Sequence, residues 1–166
     1  FKSSDRGTTW DVTGPPLSGN INAIAVAPPS PERVYAATSV RGLFRSTDGA
    51  DTWANANTGL TTNMLLVLAL DPFNADILYV GTNRGVFRSA DGADTWAALG
   101  TGLPPSTAVN ALALNPLNPQ VMYAGTNGQG VFKSVDSGSS WAPINANLAN
   151  LFVRTIVIDP SETQRM

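Results

Sequence analysis

Four times along the chain a serine precedes an aspartate by two residues, and a hydroxyl residue with a tryptophan follows. The segments are Ser3, Asp5, Thr9, Trp10; Ser46, Asp48, Thr52, Trp53; Ser89, Asp91, Thr95, Trp96; and Ser134, Asp136, Ser140, Trp141. Carboxylates beside hydroxyls could gather a cation or move a proton, which makes them the first place to look for chemistry. Their spacing argues against it. Each aspartate has neighbours only within its own short segment, never in a carboxylate cluster with calcium-loop spacing. A short Asp side chain accepts hydrogen bonds from turn N–H groups, and a Ser or Thr hydroxyl adds another local bond. These four segments, with Gly7 and Gly138, therefore read as structural turns.

Other chemistry is scarce. The 166 residues include no Cys and no His, which excludes disulfide scaffolds, thiol catalysis, Cys/His zinc sites and a histidine general base. Glycoside hydrolysis wants two carboxylates about 5–10 Å apart across a substrate. The only glutamates, Glu32 and Glu162, occupy equivalent places in a repeat, and Asp11, Asp51, Asp76 and Asp94 stand alone in turns or at strand edges. No catalytic residue, metal site or cofactor is expected. The net charge is −2 without a basic stripe, so nucleic-acid binding has no electrostatic footprint. The longest strongly apolar run, 64–70, is too short to span a bilayer.

The elements around these segments recur. The tryptophans lie 43, 43 and 45 residues apart; Pro28, Pro72, Pro116 and Pro160 keep a 44-residue step, as do Tyr35, Tyr79 and Tyr123. Each unit reads as four short strands. The first covers 22–27, 66–70, 111–114 and 153–158. It carries bulky residues on one face (Ile24 and Val26; Leu68 and Leu70; Leu112 and Leu114) and mostly small ones on the other (Ala23 and Ala25; Val67 and Ala69; Ala111 and Ala113). That alternation predicts a strand buried on both sides, large against small between stacked sheets. A Pro/Asn/Asp turn leads to a second strand over 34–38, 78–82 and 122–126. A Gly turn precedes a third beginning at Leu43, Val86 or Val131, and the Trp opens a fourth closing near Leu17, Leu60, Leu103 and Leu148. Four strands per 40–45 residues is the period of a propeller blade.

The S-x-D-x-G-x-T-W segments resemble the Asp-box, or BNR repeat, of sialidases, sortilin-type receptors, xyloglucanases and photosystem II assembly factor-like proteins. In the middle two copies Ala50 and Ala93 stand where the family has Gly, and Gly49 and Gly92 come one residue early, so a slightly different turn is expected there. The resemblance implies an all-β fold, a β-propeller of four-stranded antiparallel blades. Residues 1–166 form one propeller or propeller fragment, with blades at about 19–61, 62–105 and 106–150 and partial blades at 1–18 and 151–166. In the family these turns lie between the third and fourth strands, remote from binding surfaces. Each Trp is expected to plug the gap between neighbouring blades.

Binding would then fall on the opposite end, built by the loops between second and third strands and those joining one blade to the next. Arg41 and Arg84 recur at one position of the former loops and Gln129 replaces them in the third; with Asn83 and Asn127 these are the candidate binding residues. They read either as solvated loop side chains or as anchors for an acidic or polar partner, protein or polysaccharide. The function expected is a non-enzymatic scaffold or protein- or ligand-binding module. The alternative is a fragment of an Asp-box glycoside hydrolase whose catalytic residues lie elsewhere. Cysteine usage does not decide the compartment; an extracellular or periplasmic location is expected. By the 44-residue step Met166 matches Met122 and Phe1 matches Phe132, so the chain is expected to be cut from a longer propeller, or to close by sharing strands within itself or in a homo-oligomer.

Overall fold

The computed structural model describes residues 1–12, 17, 19–30 and 32–161. Glu162 and Met166, which the sequence analysis invokes, lie outside them. Among the described residues twelve strands form three antiparallel four-stranded sheets, each in sequence order. The first holds β1 (Ile21–Val26), β2 (Val34–Thr38), β3 (Leu43–Ser46) and β4 (Ala54–Asn55). The second holds β5 (Leu65–Leu70), β6 (Leu78–Thr82), β7 (Gly85–Ser89) and β8 (Ala97–Leu99). The third holds β9 (Val109–Leu114), β10 (Met122–Thr126), β11 (Val131–Ser134) and β12 (Ala142–Pro143). The sheets stack side by side, β1 against β5 and β5 against β9, and the described residues do not close a ring.

Large-against-small packing is what holds them. Leu68 and Leu70 of β5 pack into a core with Ala23 of β1, Leu43 and Trp96. One sheet further on, Leu112 and Leu114 of β9 pack on Val67 and Ala69 of β5, with Trp141 in the same core. Fully buried side chains such as Leu65, Leu78 and Met122 each contribute about 1.5–3 kcal/mol on leaving water. Small residues are required where sheets touch: a Cβ on Gly81 would stand 2.6 Å from the Val109 carbonyl oxygen.

Three expectations need correction. The bulky face of β1 is not buried, since Ile24 is 63% and Val26 51% exposed; no described sheet packs on that side. The apolar stretch 153–158 forms no ladder. Its Val153, Ile156 and Ile158 pack on Tyr123 and Val131, but it joins no strand ladder among the described residues. The fourth strands run only two or three residues, and in the first and third sheets the outer edge is finished by a side chain. Ala56 N–H and Ile144 N–H still donate to Leu43 and Val131 carbonyls at 3.0 and 2.9 Å. One residue later a side chain takes over, Asn57 Oδ1 accepting from Leu43 N–H and Asn145 Oδ1 from Val131 N–H, both at 2.7 Å.

Candidate functional site

Strand order gives the molecule two ends. The Ser-x-Asp turns and the turns between first and second strands share one. They are tied there by Gly49, Gly92 and Ser137 N–H groups donating to Glu32, Asp76 and Gln120 carbonyls at 2.8–3.0 Å. The loops between second and third strands share the other end with the connections from sheet to sheet.

At the turn end the Ser-x-Asp carboxylates are committed to the backbone. Ser46 Oγ donates to Asp48 Oδ1 at 2.7 Å and accepts Ala50 N–H at 2.8 Å; Asp48 Oδ1 also accepts Thr52 N–H at 2.8 Å. The same bonds recur in the other copies, 2.6–2.9 Å long. Asp5, Asp48 and Asp91 are held near a pKa of 2 by the hydroxyl and N–H of Thr9, Thr52 and Thr95, aided by the serines, and Asp136 is lowered by Ser140 likewise. The expected difference in the middle turns is absent. All four put two consecutive residues at positive φ: Arg6–Gly7, Gly49–Ala50, Gly92–Ala93 and Ser137–Gly138. Glycine serves at either place, and the second then tolerates alanine.

The tryptophans divide by what lies behind them. Trp96 and Trp141 are buried, and Trp96 Nε1 donates to the Ala56 carbonyl of the preceding sheet at 2.9 Å. Trp53 is half-buried and Trp10 is 62% exposed, with no described sheet behind it.

At the loop end three of the five predicted residues, Arg41, Arg84 and Gln129, have their backbone set by a threonine that the repeat also carries. Thr38, Thr82 and Thr126, fully buried at the ends of β2, β6 and β10, donate to the carbonyls of Gly42, Gly85 and Gly130 at 2.8–3.0 Å. Their hydroxyls accept the N–H of Arg41, Arg84 and Gln129 at 2.9–3.1 Å, which fixes those three backbones. The threonines' own 44-residue step was the available signal. Arg41 and Arg84 project into solvent, Gln129 is half-buried, and Asn83 Oδ1 accepts from the Thr62 hydroxyl at 2.7 Å. Asn57 and Asn145 brace the first and third loops by donating to the Arg41 and Gln129 carbonyls at 2.9 and 3.0 Å. The middle loop is only Asn83-Arg84, and Gly100 stands in the bracing position.

An open cleft of about 620 Å³ lies at this end, lined by Asn110, Asn127, Asn150, Phe152 and Arg154. Of the predicted residues only Asn127 lines it; Arg41, Asn83, Arg84 and Gln129 do not. Asn150 Oδ1 accepts Phe152 N–H at 2.8 Å, leaving its amide hydrogens free, and Phe152 lies over Gly128, where an added Cβ would meet the ring at 3.3 Å. Phe152 is 66% exposed and Arg154 is open to solvent. The lining offers hydrogen-bond donors, one positive charge and an aromatic face, and no carboxylate. It can hold a ligand rich in oxygen acceptors. Among the described residues no group of three His, Cys, Asp or Glu side chains could hold a metal, and no helix is long and apolar enough to cross a membrane.

No protein-family model and no curated protein sequence matches this chain. Solved structures do. An ancestral GH74 enzyme superposes on 94% of the chain at 25% identity with a TM-score of 0.75. An auxiliary nutrient binding protein from Bacteroides thetaiotaomicron covers 86% at 14% identity (TM-score 0.66), and YCF48 from Cyanidioschyzon merolae 76% at 18% (TM-score 0.55). The chain spans 22%, 34% and 38% of those three proteins. These neighbours are β-propeller proteins, so the three sheets are propeller blades in architecture.

Proposed function

We propose that the chain is part of an Asp-box β-propeller, blades at about 19–61, 62–105 and 106–150, acting as a non-enzymatic module that binds a protein or other ligand at its loop end. The observation that carries this reading is the cleft: free amide and guanidinium donors beside an exposed ring, with no carboxylate in its lining. Arg41, Asn83, Arg84 and Gln129 extend that surface across the neighbouring loops. An extracellular or periplasmic location goes with this role. Titrating the chain against peptide and oligosaccharide panels tests it. Binding that is lost in Asn127→Ala and Arg154→Ala, at unchanged melting temperature, is the expected result. Binding that survives both substitutions would move the site elsewhere.

The fit to the ancestral GH74 enzyme favours a second reading, a piece of a glycoside hydrolase whose acids lie on other blades. Release of reducing sugar from xyloglucan by a protein carrying those further blades would select it over the first.

A further inference from the structure

Charge is segregated between the two ends. Every described carboxylate side chain lies in or beside a turn at the turn end, Glu32, Asp76 and Asp94 among them, and both lysines, Lys2 and Lys133, lie on that side too. Several acids there are already paired: Asp76 with Arg33, Asp94 with Arg45 at 2.6 Å, and Asp51 with Lys2 at 3.8 Å. The loop end carries Arg41, Arg84 and Arg154 and no described carboxylate. These three guanidinium groups make no hydrogen bond or ion pair to any described residue. A chain of net charge −2 thus presents one face that is purely cationic.

The kind of cation and its company say what the face fits. Protein interfaces are enriched in Arg, Phe and Met and depleted in Lys, Asp and Glu. The loop end shows that composition: among the described residues its cations are all arginines, and Phe152 (66% exposed), Met64 (42%) and Leu148 (44%) stand open among amides. A polysaccharide face would need no such scatter of aliphatic side chains. Arg41 and Arg84 sit on the loops of adjacent sheets and Arg154 in the stretch that follows the third sheet, so they suit a run of carboxylates and not one small anion, since each planar guanidinium pairs bidentately with a carboxylate.

We propose that the loop end docks an acidic segment of a partner protein, with Arg41, Arg84 and Arg154 on its carboxylates and Phe152 and Met64 on its apolar side chains. This rests on the binding role assigned above to the same end of the molecule.

Fluorescence anisotropy with a labelled peptide of about four Glu-Glu-Leu repeats tests it, beside the same peptide with Gln for Glu, because electrostatic docking must sense that charge. The expected result is affinity for the Glu peptide at least about tenfold above the Gln peptide, falling several-fold between about 50 and about 300 mM NaCl as exposed charges are screened. The triple variant Arg41→Ala, Arg84→Ala, Arg154→Ala should lose at least about tenfold while melting normally; Arg6→Ala, at the turn end, should lose nothing. Equal binding of the two peptides, abolished by Phe152→Ala, would overturn the acidic partner and leave the binding role standing. Tighter binding of polygalacturonate than of the Glu peptide would overturn it in favour of a polysaccharide. No binding of any probe would remove the binding role as well.

Discussion

Of all the side chains, the four Ser-x-Asp aspartates show most directly how sequence becomes structure. Their pattern disclosed a hydrogen-bonded turn, and the bonds formed are those that a short carboxylate and a hydroxyl can make. What the pattern did not disclose is that the turn uses two left-handed residues in a row, so shifting the glycine by one place leaves it unchanged. A left-handed residue with a Cβ costs roughly 1–2 kcal/mol relative to Gly. Ala50 at φ 78° is half-exposed, so Ala50→Gly should stabilise the fold by about 0.5–1 kcal/mol in a denaturant titration. Ala93, at φ 72°, is fully buried in the first core, and losing its methyl costs about 0.8 kcal/mol, so Ala93→Gly should come out near neutral. Equal gains at both sites would mean that burial plays no part. The aspartates also set a pH dependence. Their folded pKa near 2 lies below the unfolded 3.8, so the stability they confer is present above about pH 4 and is lost as pH falls toward 2. Melting curves from pH 5 to 2 should show that loss. Asp91→Asn should melt lower at pH 6 and fall less steeply in acid; an unchanged slope would take the Asp91 carboxylate out of the account.

At the scale of the element, the alternation of large and small residues made the central strands and their stacking readable, and the second strands run over the residues expected. The edges were less readable. In the first and third sheets the fourth strand gives way where the Asn57 and Asn145 side chains replace a backbone partner; both follow their Trp by four residues, but Gly100 breaks that series in the middle unit, so the repeat did not single them out. The candidate site was legible in part for a similar reason. The loops followed from strand order and Asn127 lies in the cleft, but Phe152 stands where the other units have Asn20, Met64 and Ala108, and Arg154 where they have Asn22, Leu66 and Asn110, so the repeat conceals them. Burial of the tryptophans follows the sheet behind each one. Trp96→Ala should cost about 3–5 kcal/mol, emptying a large site and freeing the Ala56 carbonyl. Trp10→Ala should cost less than about 0.5 kcal/mol, since its ring faces solvent. Comparable losses in urea melts would show that the tryptophans act through their own turns and not through the sheet they cover.

For the whole molecule the same packing rule leaves one surface unanswered. Twice the bulky face of a first strand meets the small face of the sheet before it, β5 on β1 and β9 on β5. The bulky face of β1 meets nothing among the described residues, and Ile21, Ile24 and Val26 are 46%, 63% and 51% exposed in a row along one strand. An aligned apolar strip of that kind invites association, because the contact it lacks is one the chain makes twice with itself. The isolated 166-residue chain is therefore expected to associate as its concentration rises, copies meeting through β1. Light scattering should show a mass that grows with concentration, and dilution should reverse it. Ile24→Lys puts a charge in the middle of the strip at a side chain that is mostly solvent-exposed, so it should return the chain to a monomer with its melting temperature nearly unchanged. The comparison with Leu68→Lys is informative, because Leu68 holds the equivalent place on β5 but packs against the first sheet. That substitution should unfold the protein instead of dispersing it. A wild-type chain that stays monomeric at all concentrations and binds no apolar dye would show that the β1 face is satisfied by solvent, and the association would fall with it.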